Sequence, residues 1–239
     1  MGRVGCYSTA RVSGGRIERL ERHAGRLRRD AARLGLAVPE RCAIEDLGLA
    51  VARAELGRGD GALRLEWSAE ENGAAVLTAT TRPLGSESDR WRARTARAVH
   101  PGAGGRENAK LIEVPVYDAA RAEQTEAGVD ECLLYDADGR LVEGGRTNLI
   151  VATHDGRWLT PARSLGAVEG LGLECVREAV PEIRESIAID RKEVVAAREL
   201  IAVNAVRGAV AIVELDGVPI GDSQPGPFAI RLRGLFFRK

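Results

Sequence analysis

The sequence of 239 residues has no excess of either charge: Lys+Arg and Asp+Glu number 35 each, so the formal net charge is zero. Nucleic-acid-binding proteins usually show a basic excess, so this class is not indicated. No apolar run approaches the roughly 18 residues of a membrane span, and the opening MGRVGCYSTARVSGG lacks the apolar stretch of a signal peptide. We expect a soluble, cytoplasmic protein that binds neither nucleic acid nor a membrane.

Cysteine and histidine are also scarce. The four cysteines lie far apart and form no CxxC pair, and there are only three histidines: Cys6, Cys42, Cys132, Cys175, His23, His100 and His154. These spacings match no zinc motif, so no metal site is expected. The cysteines are expected to be free, buried thiols in a reducing compartment. His23 is expected to be a packed or surface histidine, not an acid–base group.

Lysine is the most informative scarcity. Of the 35 basic residues only Lys110, Lys192 and Lys239 are lysines. An amine, unlike a guanidinium, condenses with a carbonyl group to a Schiff base and loses its proton readily when desolvated. Lys239 is the terminal residue and Lys192 lies in a polar helix start, so both are expected at the surface. Lys110 lies where a polar turn runs into apolar sequence and is the candidate, with a surface role as the alternative.

The first hundred residues predict two helices followed by three strands. A 3, 4, 3, 4, 3 spacing of apolar residues is typical of one face of an amphipathic helix, and it joins Ile17, Leu20, Ala24, Leu27, Ala31 and Leu34. A polar row at the edge of that face contains His23, Arg26 and Asp30. A second helix is predicted over Ala43–Leu56. Strands are predicted over Ala62–Ser68 and Ala74–Thr81, around the turn 71–73, and over Arg90–Val99.

The glycine-rich stretch His100–Asn108 is the best candidate for a linker, because no periodicity runs through it. It matches neither GxxxxGK[ST] nor GxGxxG, the common phosphate-binding patterns. We therefore predict a smaller N-terminal domain over 1–102 and a larger C-terminal domain over 103–239.

The remaining sequence alternates short helices with hairpins. Helices are predicted over Val116–Ala127, Val168–Val180 and Pro227–Phe236, with a short one between strands Ile187–Asp190 and Leu200–Asn204. Hairpins are predicted to pair Asp130–Tyr135 with Arg140–Glu143, Thr147–Thr153 with Arg157–Thr160, and Val210–Leu215 with Val218–Ile220. The mixture indicates an α+β protein, since a regular βαβ alternation is missing.

Three residues match by type what pyridoxal phosphate requires of a protein. The cofactor needs a lysine for its aldehyde carbon, a partner for its pyridine nitrogen and donors for its phosphate. Lys110 can supply the first, and Glu143 can keep the ring nitrogen protonated. Arg26 can grip the phosphate with two parallel hydrogen bonds, although an i,i+4 pair with Asp30 is the simpler role. Residue spacing alone does not select these three.

A resemblance to a known family does select them. The opening GCYSTARVSGGRIERLERHAGRLRRDAARLGL resembles "GxFxTxR" through "HxxRLxxSAxxLG" of the class IV aminotransferases, also called fold-type IV pyridoxal-phosphate enzymes. The segment AKLIEVPVYDAARAEQTEAGVDECLLYDADGRLVEGGRTNLIV resembles their signature. The resemblance covers nearly the whole chain. It implies that Lys110 is the Schiff-base lysine, Glu143 the ring-nitrogen partner and Arg26 the phosphate-binding arginine.

Two weaker segments extend the implied phosphate pocket. LTPARSLGAVEGLGLECV resembles "TPPLSxGILPGITRxxV", in which main-chain N–H groups at a helix start hold the phosphate; these correspond to Leu171 and Gly172. LIAVNAVRGAVAI resembles a strand and loop that line the same pocket, which implicates Asn204 and Ala205. The resemblance also implies two α/β domains with the cofactor site at their junction, and a homodimer whose second subunit completes each site. Asn148 is expected to hold the loop after Glu143.

Three functions are compatible with this resemblance. The first is an aminotransferase acting on a small amino acid/keto acid pair, with its substrate carboxylate held by Arg11, Arg64 or Arg146. The second is an aminodeoxychorismate lyase, because GCYSTARV and VNAV are most similar to that subgroup. The third is a non-catalytic homologue with a binding role. The shared chemistry does not decide between the first two, and substrate identity and stereochemistry stay open.

Several departures from the family pattern motivate the third function. The chain begins after the family's first strand and its "DxGxxxGDG" segment. Glu113 stands where asparagine is usual, and Leu173 where arginine is usual. Gly172 and Ala205 replace hydroxyl residues of the phosphate pocket. Two lost hydroxyl contacts are expected to weaken phosphate binding by about 1–3 kcal/mol.

Overall fold

A computed structural model describes residues 3–69, 74–85, 87–104 and 108–236. The chain divides into two compact units. The first contains Met1–Glu87 and Ala109–Val114, and the second contains Ser88–Asn108 and Pro115–Lys239. Both units combine a sheet with helices, as the α+β prediction requires.

The described residues of the first unit form a four-stranded antiparallel sheet with the order β2-β1-β3-β4. Its elements are, in chain order, β1 (Gly5–Ser13), β2 (Arg16–Ile17), α1 (Leu20–Arg33), α2 (Arg41–Glu55), β3 (Gly61–Ala69) and β4 (Ala75–Pro83). Alternate residues of β1 and β3 pack with both helices in one core, which includes Cys6, Ala10, Leu27, Ile44 and Leu63. The side chains between them point to the opposite face of the sheet, since strand side chains alternate.

The start of the chain differs from the sequence prediction. Ile17 belongs to the short strand β2 and not to the first helix, which begins at Leu20. The reason is a tight turn at Gly14 and Gly15, both with positive φ, which folds β2 back onto β1. The strand β1 itself was not predicted. The predicted turn at 71–73 lies outside the described residues.

In the part of the second unit that the structure describes, nine strands form one sheet. Its strands are β5 (Arg90–Thr95), β6 (Glu131–Tyr135), β7 (Leu141–Gly144), β8 (Asn148–Ala152), β9 (Trp158–Pro161), β10 (Arg184–Ser186), β11 (Glu199–Asn204), β12 (Gly208–Leu215) and β13 (Val218–Pro219). Its helices are α3 (Pro115–Ala127), α4 (Leu171–Ala179), α5 (Arg191–Val195) and α6 (Pro227–Arg233). The strand order is β10-β9-β8-β11-β12-β5-β6-β7, with β13 on β12.

The two faces of this sheet bury different cores. One core joins residues of β5, β6, β7, β8, β11 and β12, such as Leu133, Leu149 and Ile212, with Val194 of α5. The other core includes Ile150, Val176 and Phe228. In this core, α4 and α6 pack on the opposite face of the sheet. A strand buried on both faces reads as a continuous apolar run, which explains the sequences LIV in β8 and LIAV in β11.

Several boundaries in the second unit also differ from the prediction. The strand predicted over Arg90–Val99 ends at Thr95, and it pairs in parallel with β6 and β12. The chain therefore enters the second unit at Ser88, before the glycine-rich stretch, and 109–114 returns to the first unit. Helix α4 begins at Leu171, not Val168, and the strand predicted over Ile187–Asp190 is replaced by β10, parallel to β9. Residues 105–107 of the predicted linker lie outside the described residues.

The four cysteines, all of which the structure describes, form no disulfide. Cys42 is exposed and Cys175 is half-buried, contrary to the expectation that all four are buried. Lys192 is exposed in α5, as predicted, and Lys239 lies outside the described residues. Among the described residues, no helix is long and apolar enough to cross a membrane. Within that same part of the chain, no cluster of three or more His, Cys, Asp and Glu side chains is placed to hold a metal ion.

Candidate active site

The main chain of Lys110 is fixed to β1 in the first unit. Tyr7 donates its main-chain N–H to the Lys110 carbonyl at 2.9 Å, and Ile112 donates to the Gly5 carbonyl at 3.1 Å. Between these bonds, Leu111 forms an antiparallel bridge with Cys6. The segment after the glycine-rich stretch therefore acts as a short additional strand, which sets the position from which the Lys110 side chain extends.

The ring of Tyr7 lies beside two cationic side chains. The Lys110 Nζ is 5.0 Å from the ring centroid, and the Arg64 Cζ is 3.6 Å from the same centroid. Both distances are within the range of cation–π attraction. Lys110 is half-buried, and Arg64 also pairs with Glu66 at 2.9 Å. Tyr7 thus organises an amine and a guanidinium in one place, and neither contact was predicted from the sequence.

Arg26 is a buried guanidinium with unused hydrogen-bonding capacity. It is 5% exposed, and its Nε and Nη2 have no hydrogen-bond partner. Burial lowers the pKa of the guanidinium, and the carboxylate of Asp30 opposes that shift. The predicted i,i+4 pair with Asp30 exists at 3.5 Å between Arg26 Nε and Asp30 Oδ2, but it is buried and not on the helix surface. Two sheltered donors on one planar group suit an oxyanion such as a phosphate.

His23 lies one turn before Arg26 on α1 and is held neutral. Its Nδ1 is 2.7 Å from the Ser8 Oγ of β1, and both residues are buried. Burial, together with the nearby charges of Arg26 and Arg19, lowers the pKa of His23 from its ordinary 6.5 to about 3. The sequence expectation of a packed histidine is confirmed. The hydrogen bond joins α1 to β1 close to the candidate phosphate arginine.

This lowered pKa predicts acid sensitivity of the fold. Between about pH 3 and 6.5 the folded protein binds fewer protons at His23 than the unfolded chain does. The free energy of unfolding must then rise with pH across this window and fall on acidification, by about 1.4 kcal/mol per pH unit. We expect His23→Gln to flatten this dependence in urea unfolding measured from pH 3.5 to 7. Parallel curves for wild type and variant would contradict the assignment.

Two of the arginines predicted to hold a substrate carboxylate lie on β1 and β3. Arg11 and Arg64 have the strand parity of Tyr7, so they extend from the sheet face opposite the helices. Arg11 is buried, donates to the Ser13 Oγ at 2.9 Å and pairs with Glu87 at 2.5 Å. The structure therefore brings Arg11, Arg64 and Tyr7 to one face.

The second unit buries the carboxylate of Glu143. Glu143 is 3% exposed, and both of its oxygens accept the main-chain N–H of Val168, at 3.2 and 3.1 Å. The Tyr117 hydroxyl of α3 also donates to it, and the His100 Nε2 lies 3.7 Å from its Oε1. The hydrogen bonds from Val168 and Tyr117 fix this carboxylate in place, and the His100 ring packs beside it. The sequence identified Glu143 but not Tyr117 or His100.

The turn after Glu143 rests on a second buried carboxylate, Glu131. Thr147 donates its hydroxyl to the Glu131 Oε2 at 2.8 Å, and Gly144 donates its main-chain N–H to the Thr147 carbonyl at 2.8 Å. Burial raises the pKa of Glu131. Arg146, the third predicted carboxylate arginine, lies within this turn. It donates to the Asp130 carbonyl at 2.7 Å, and its guanidinium lies 5.3 Å from the Trp91 ring.

Asn148 holds the approach to α4 and not the turn after Glu143. Its Nδ2 donates to the Val168 carbonyl at 2.9 Å, so the main chain of Val168 is bound to Glu143 on one side and to Asn148 on the other. A Cβ on Gly170 would lie 1.8 Å from the Asn148 Oδ1, so any larger residue there would displace the Asn148 side chain. This corrects the predicted role of Asn148 and links Glu143 to the start of the next helix.

The start of α4 is packed against the end of β11. Leu171 and Gly172 are buried at the first positions of α4, where main-chain N–H groups have no partner within the helix. Asn204 accepts the N–H groups of Val206 at 3.0 Å and Arg207 at 2.7 Å, which shapes the turn containing Ala205. This helix start and turn can offer an anion main-chain donors.

Gly172 is required by this packing. A Cβ there would lie 2.6, 2.8 and 3.0 Å from main-chain atoms of Asn204. A threonine like that of the family pattern cannot be accommodated without a shift of the main chain. At the position of the lost hydroxyl, the main chain of β11 lies directly against α4.

Gly172→Ala is expected to reduce the free energy of unfolding by about 1–3 kcal/mol through overpacking. Gly25→Ala is the control within α1, because the nearest atom to its Cβ would be the flexible end of Arg29 at 3.9 Å; it is expected to stabilise the helix by about 0.5–1 kcal/mol. Urea unfolding of both variants checks this. Equal stability of Gly172→Ala and the wild type would show that the two elements separate easily.

The predicted residues fall into two groups by unit. Lys110, Arg26, Arg11 and Arg64 belong to the first unit, and Tyr7 and Asp30 join this group. Glu143, Leu171, Gly172, Asn204, Ala205 and Arg146 belong to the second, and Tyr117 and His100 join that group. Asp30 contacts Lys110 across 80 positions of sequence and Tyr117 contacts Glu143 across 26, and Tyr7 contacts Lys110 over a still longer separation. Local patterns carry no signal for these contacts.

Comparison with known proteins gives a family for this architecture. The family model for amino-transferase class IV matches residues 5–215. The probable branched-chain-amino-acid aminotransferase of Aquifex aeolicus (strain VF5) is 28% identical over 123 residues, which are 49% of this chain and 39% of the relative. The chain thus matches about two fifths of the length of that curated protein.

Two solved structures share the fold over nearly the whole chain. The fold IV-transaminase CpuTA1 from Curtobacterium pusillum has a TM-score of 0.81 at 25% identity, over 97% of this chain and 83% of that one. A putative 4-amino-4-deoxychorismate lyase from Legionella pneumophila has a TM-score of 0.83 at 17% identity, over 95% and 88%. The predicted fold class is confirmed. The resemblance and the cofactor expectation are confirmed at the level of the family, whose members use pyridoxal phosphate.

Proposed function

Because the chain belongs to the class IV aminotransferase family, we propose that it is a pyridoxal-phosphate-dependent aminotransferase acting on a small amino acid/keto acid pair. The observation that carries this proposal is the pair of buried, unpartnered donors on Arg26. Such donors are costly to bury without an acceptor, and Arg26 is joined through Asp30 to the main chain of Lys110. An anionic ligand in the first unit would satisfy them.

The residues present fit the phosphate group. Arg26 would supply two charge-assisted hydrogen bonds from Nε and Nη2. The N–H groups of Leu171 and Gly172 at the start of α4, and the turn of Asn204 and Ala205, would supply further contacts. These assignments rest on the unsatisfied donors of Arg26 and on the close packing of Gly172 against Asn204.

Glu143 fits the pyridine nitrogen. It is a buried carboxylate whose orientation is fixed by Val168 and Tyr117. A carboxylate in such a place keeps a ring nitrogen protonated, since an opposite charge nearby favours the charged form. We assign it the role of holding that proton.

Lys110 fits both the covalent bond to the cofactor and the proton transfer. When bound, pyridoxal phosphate supplies the electron sink that lets an amino group pass between an amino acid and a keto acid. In the proposed reaction the Lys110 amine, once free, removes the proton from the substrate α-carbon as general base. Its main chain is fixed by the hydrogen bonds to β1 and to Asp30. The fixed main chain limits the positions that the Nζ can occupy.

Arg11, Arg64 and Arg146 are proposed to hold the substrate carboxylate. Arg64 has the best support, because it contacts the same Tyr7 ring as Lys110 does. Arg11 is supported by its place on the same sheet face. Arg146 is exposed in the turn that follows Glu143.

The test is an assay with pyridoxal phosphate, a panel of L- and D-amino acids as donors and 2-oxoglutarate as acceptor. The proposal predicts formation of glutamate and of the keto acid of the donor. Release of pyruvate from aminodeoxychorismate without any keto acid acceptor would instead establish the lyase. No binding of pyridoxal phosphate would favour a non-catalytic homologue with a binding role.

We also propose that the protein is a cytoplasmic homodimer. The family resemblance supports the dimer, and four cysteines without a disulfide among them fit a reducing compartment. Light scattering of the cofactor-loaded protein is expected to give twice the chain mass of 25.6 kDa. The mass of one chain would contradict the dimer.

A further inference from the structure

Asp30 is a buried carboxylate between the two residues of the first unit that are assigned to the cofactor. It is 1% exposed and lies one turn after Arg26 on α1. A carboxylate removed from water is costly unless charges and hydrogen bonds compensate it. Its compensation comes from Arg26, from Arg33 and from the main chain of Lys110.

One oxygen of Asp30 serves two partners. The Oδ2 accepts the main-chain N–H of Lys110 at 3.0 Å, across 80 residues of sequence. The same oxygen lies 3.5 Å from the Arg26 Nε. A single atom therefore connects the main chain of the candidate Schiff-base lysine with the guanidinium of the candidate phosphate arginine.

The contact with Arg26 attracts the guanidinium without using its donors. N–H···O hydrogen bonds have donor–acceptor distances of about 2.7–3.2 Å, and the distance of 3.5 Å lies beyond this range. The Nε and Nη2 of Arg26 accordingly remain without a hydrogen-bond partner. Asp30 supplies the opposite charge and leaves both donors for a stronger acceptor.

We infer that Asp30 is a positioning residue, which holds Arg26 as an internal counter-charge until a phosphate takes that place, and which ties the arginine to the Lys110 main chain. The inference rests on the proposed function of Arg26 and Lys110. Arg33, 3.3 Å from the Asp30 Oδ1, continues to pair with the carboxylate after Arg26 turns to the phosphate. The fold thus carries Arg26 as a charged group before the cofactor binds.

This role predicts in which direction removal of the Asp30 charge changes the affinity for a phosphate ester. Asp30 and the phosphate are both anions beside one guanidinium, so they compete for it and repel each other. Removing the carboxylate charge is expected to destabilise the cofactor-free protein, because Arg26 loses its counter-charge. The same change is expected to strengthen binding of a phosphate ester, by about tenfold or more for charges several ångströms apart. A merely structural role would instead weaken binding.

The experiment compares two ligands that differ only in the phosphate. Pyridoxine 5′-phosphate and pyridoxine lack the aldehyde, so neither bonds covalently to Lys110. Their dissociation constants are measured by calorimetry on cofactor-free wild type, Asp30→Asn, Arg26→Gln and the double variant. We expect Asp30→Asn to bind the phosphate ester about tenfold more tightly, with pyridoxine unchanged. In the Arg26→Gln background the effect of Asp30→Asn is expected to disappear.

Other outcomes separate this inference from the proposed function. If Arg26→Gln weakens phosphate-ester binding but Asp30→Asn binds it as the wild type does, or less tightly, the role of Asp30 is overturned and the cofactor site stands. An equal change for both ligands also overturns it. If wild type binds no phosphate ester, or Arg26→Gln binds it equally well, the proposed phosphate site fails together with the inference.

Asp30→Ser is a second variant that allows the test if Asp30→Asn does not fold. Serine keeps an oxygen near the Lys110 N–H, removes the charge, and is the residue of the family pattern at this position. Without ligand, either variant is expected to unfold at a lower temperature than wild type does. Saturating pyridoxine 5′-phosphate is expected to raise the unfolding temperature of either variant by more than it raises that of wild type. A variant that folds only with this ligand supports the counter-charge role. Failure of both variants to fold even with the ligand overturns it.

Discussion

Lys110→Ala is expected to remove the visible absorption of the cofactor-loaded protein and to lower turnover by at least about 10²- to 10⁴-fold. The physical reason is that only an amine can both bind the cofactor carbon covalently and take up the substrate proton. The side chain is half-buried beside Tyr7, and its main-chain hydrogen bonds to β1 do not depend on it. The variant should therefore fold like the wild type.

Lys192→Ala is the matched control, because Lys192 is an exposed lysine of α5 in the second unit. It should keep the absorption band and the activity. Spectra of both variants after incubation with pyridoxal phosphate and desalting make the comparison. If the absorption band survives in Lys110→Ala and is lost in Lys192→Ala, the cofactor is bound to Lys192 and not to Lys110.

Glu143→Gln is expected to lower turnover by about 10- to 150-fold while pyridoxal phosphate still binds. The amide keeps the size of the side chain and can still accept from Val168 and Tyr117. What it lacks is the charge that keeps the pyridine nitrogen protonated, and a hydrogen bond to a charged group contributes about 1.5–3 kcal/mol. Steady-state rates and cofactor affinity measured on one preparation separate the two effects.

Glu199→Gln is a closely matched control. Glu199 is also a buried carboxylate of the second unit that accepts main-chain N–H groups, from Phe228 at 3.2 Å and Ala229 at 2.9 Å, at the start of α6. Its substitution should affect stability and leave turnover largely intact. If Glu143→Gln and Glu199→Gln reduce turnover equally, the effect of Glu143→Gln comes from altered folding and not from a role in the reaction.

Local sequence patterns predicted the helices and hairpins well. The apolar spacing from Leu20 to Leu34 identifies the helix that carries Arg26, and turn residues identify the hairpin that ends at Glu143. The same patterns do not determine how the segments combine. The strand β5 lies within the predicted N-terminal domain, yet its partners are the strands β6 and β12 of the second unit, more than 30 residues away in sequence.

The candidate site was predictable where residue type carries the chemistry. Lys110 stands out because arginine replaces lysine almost everywhere else, and the resemblance adds Arg26 and Glu143. Asp30 appeared in the sequence only as an i,i+4 partner of Arg26. Its bond to the Lys110 main chain spans 80 residues, and Tyr117 reaches Glu143 across 26. Such contacts come from tertiary packing, so no local pattern contains them.

Borohydride reduction tests whether Lys110 carries the cofactor. Reduction of the protein loaded with pyridoxal phosphate makes the carbon–nitrogen bond permanent, and mass spectrometry of a digest then locates the added group. We expect the added mass on the peptide containing Lys110, and none on Lys192 or Lys239. A label on either of those lysines, or no label after saturation with pyridoxal phosphate, would contradict it.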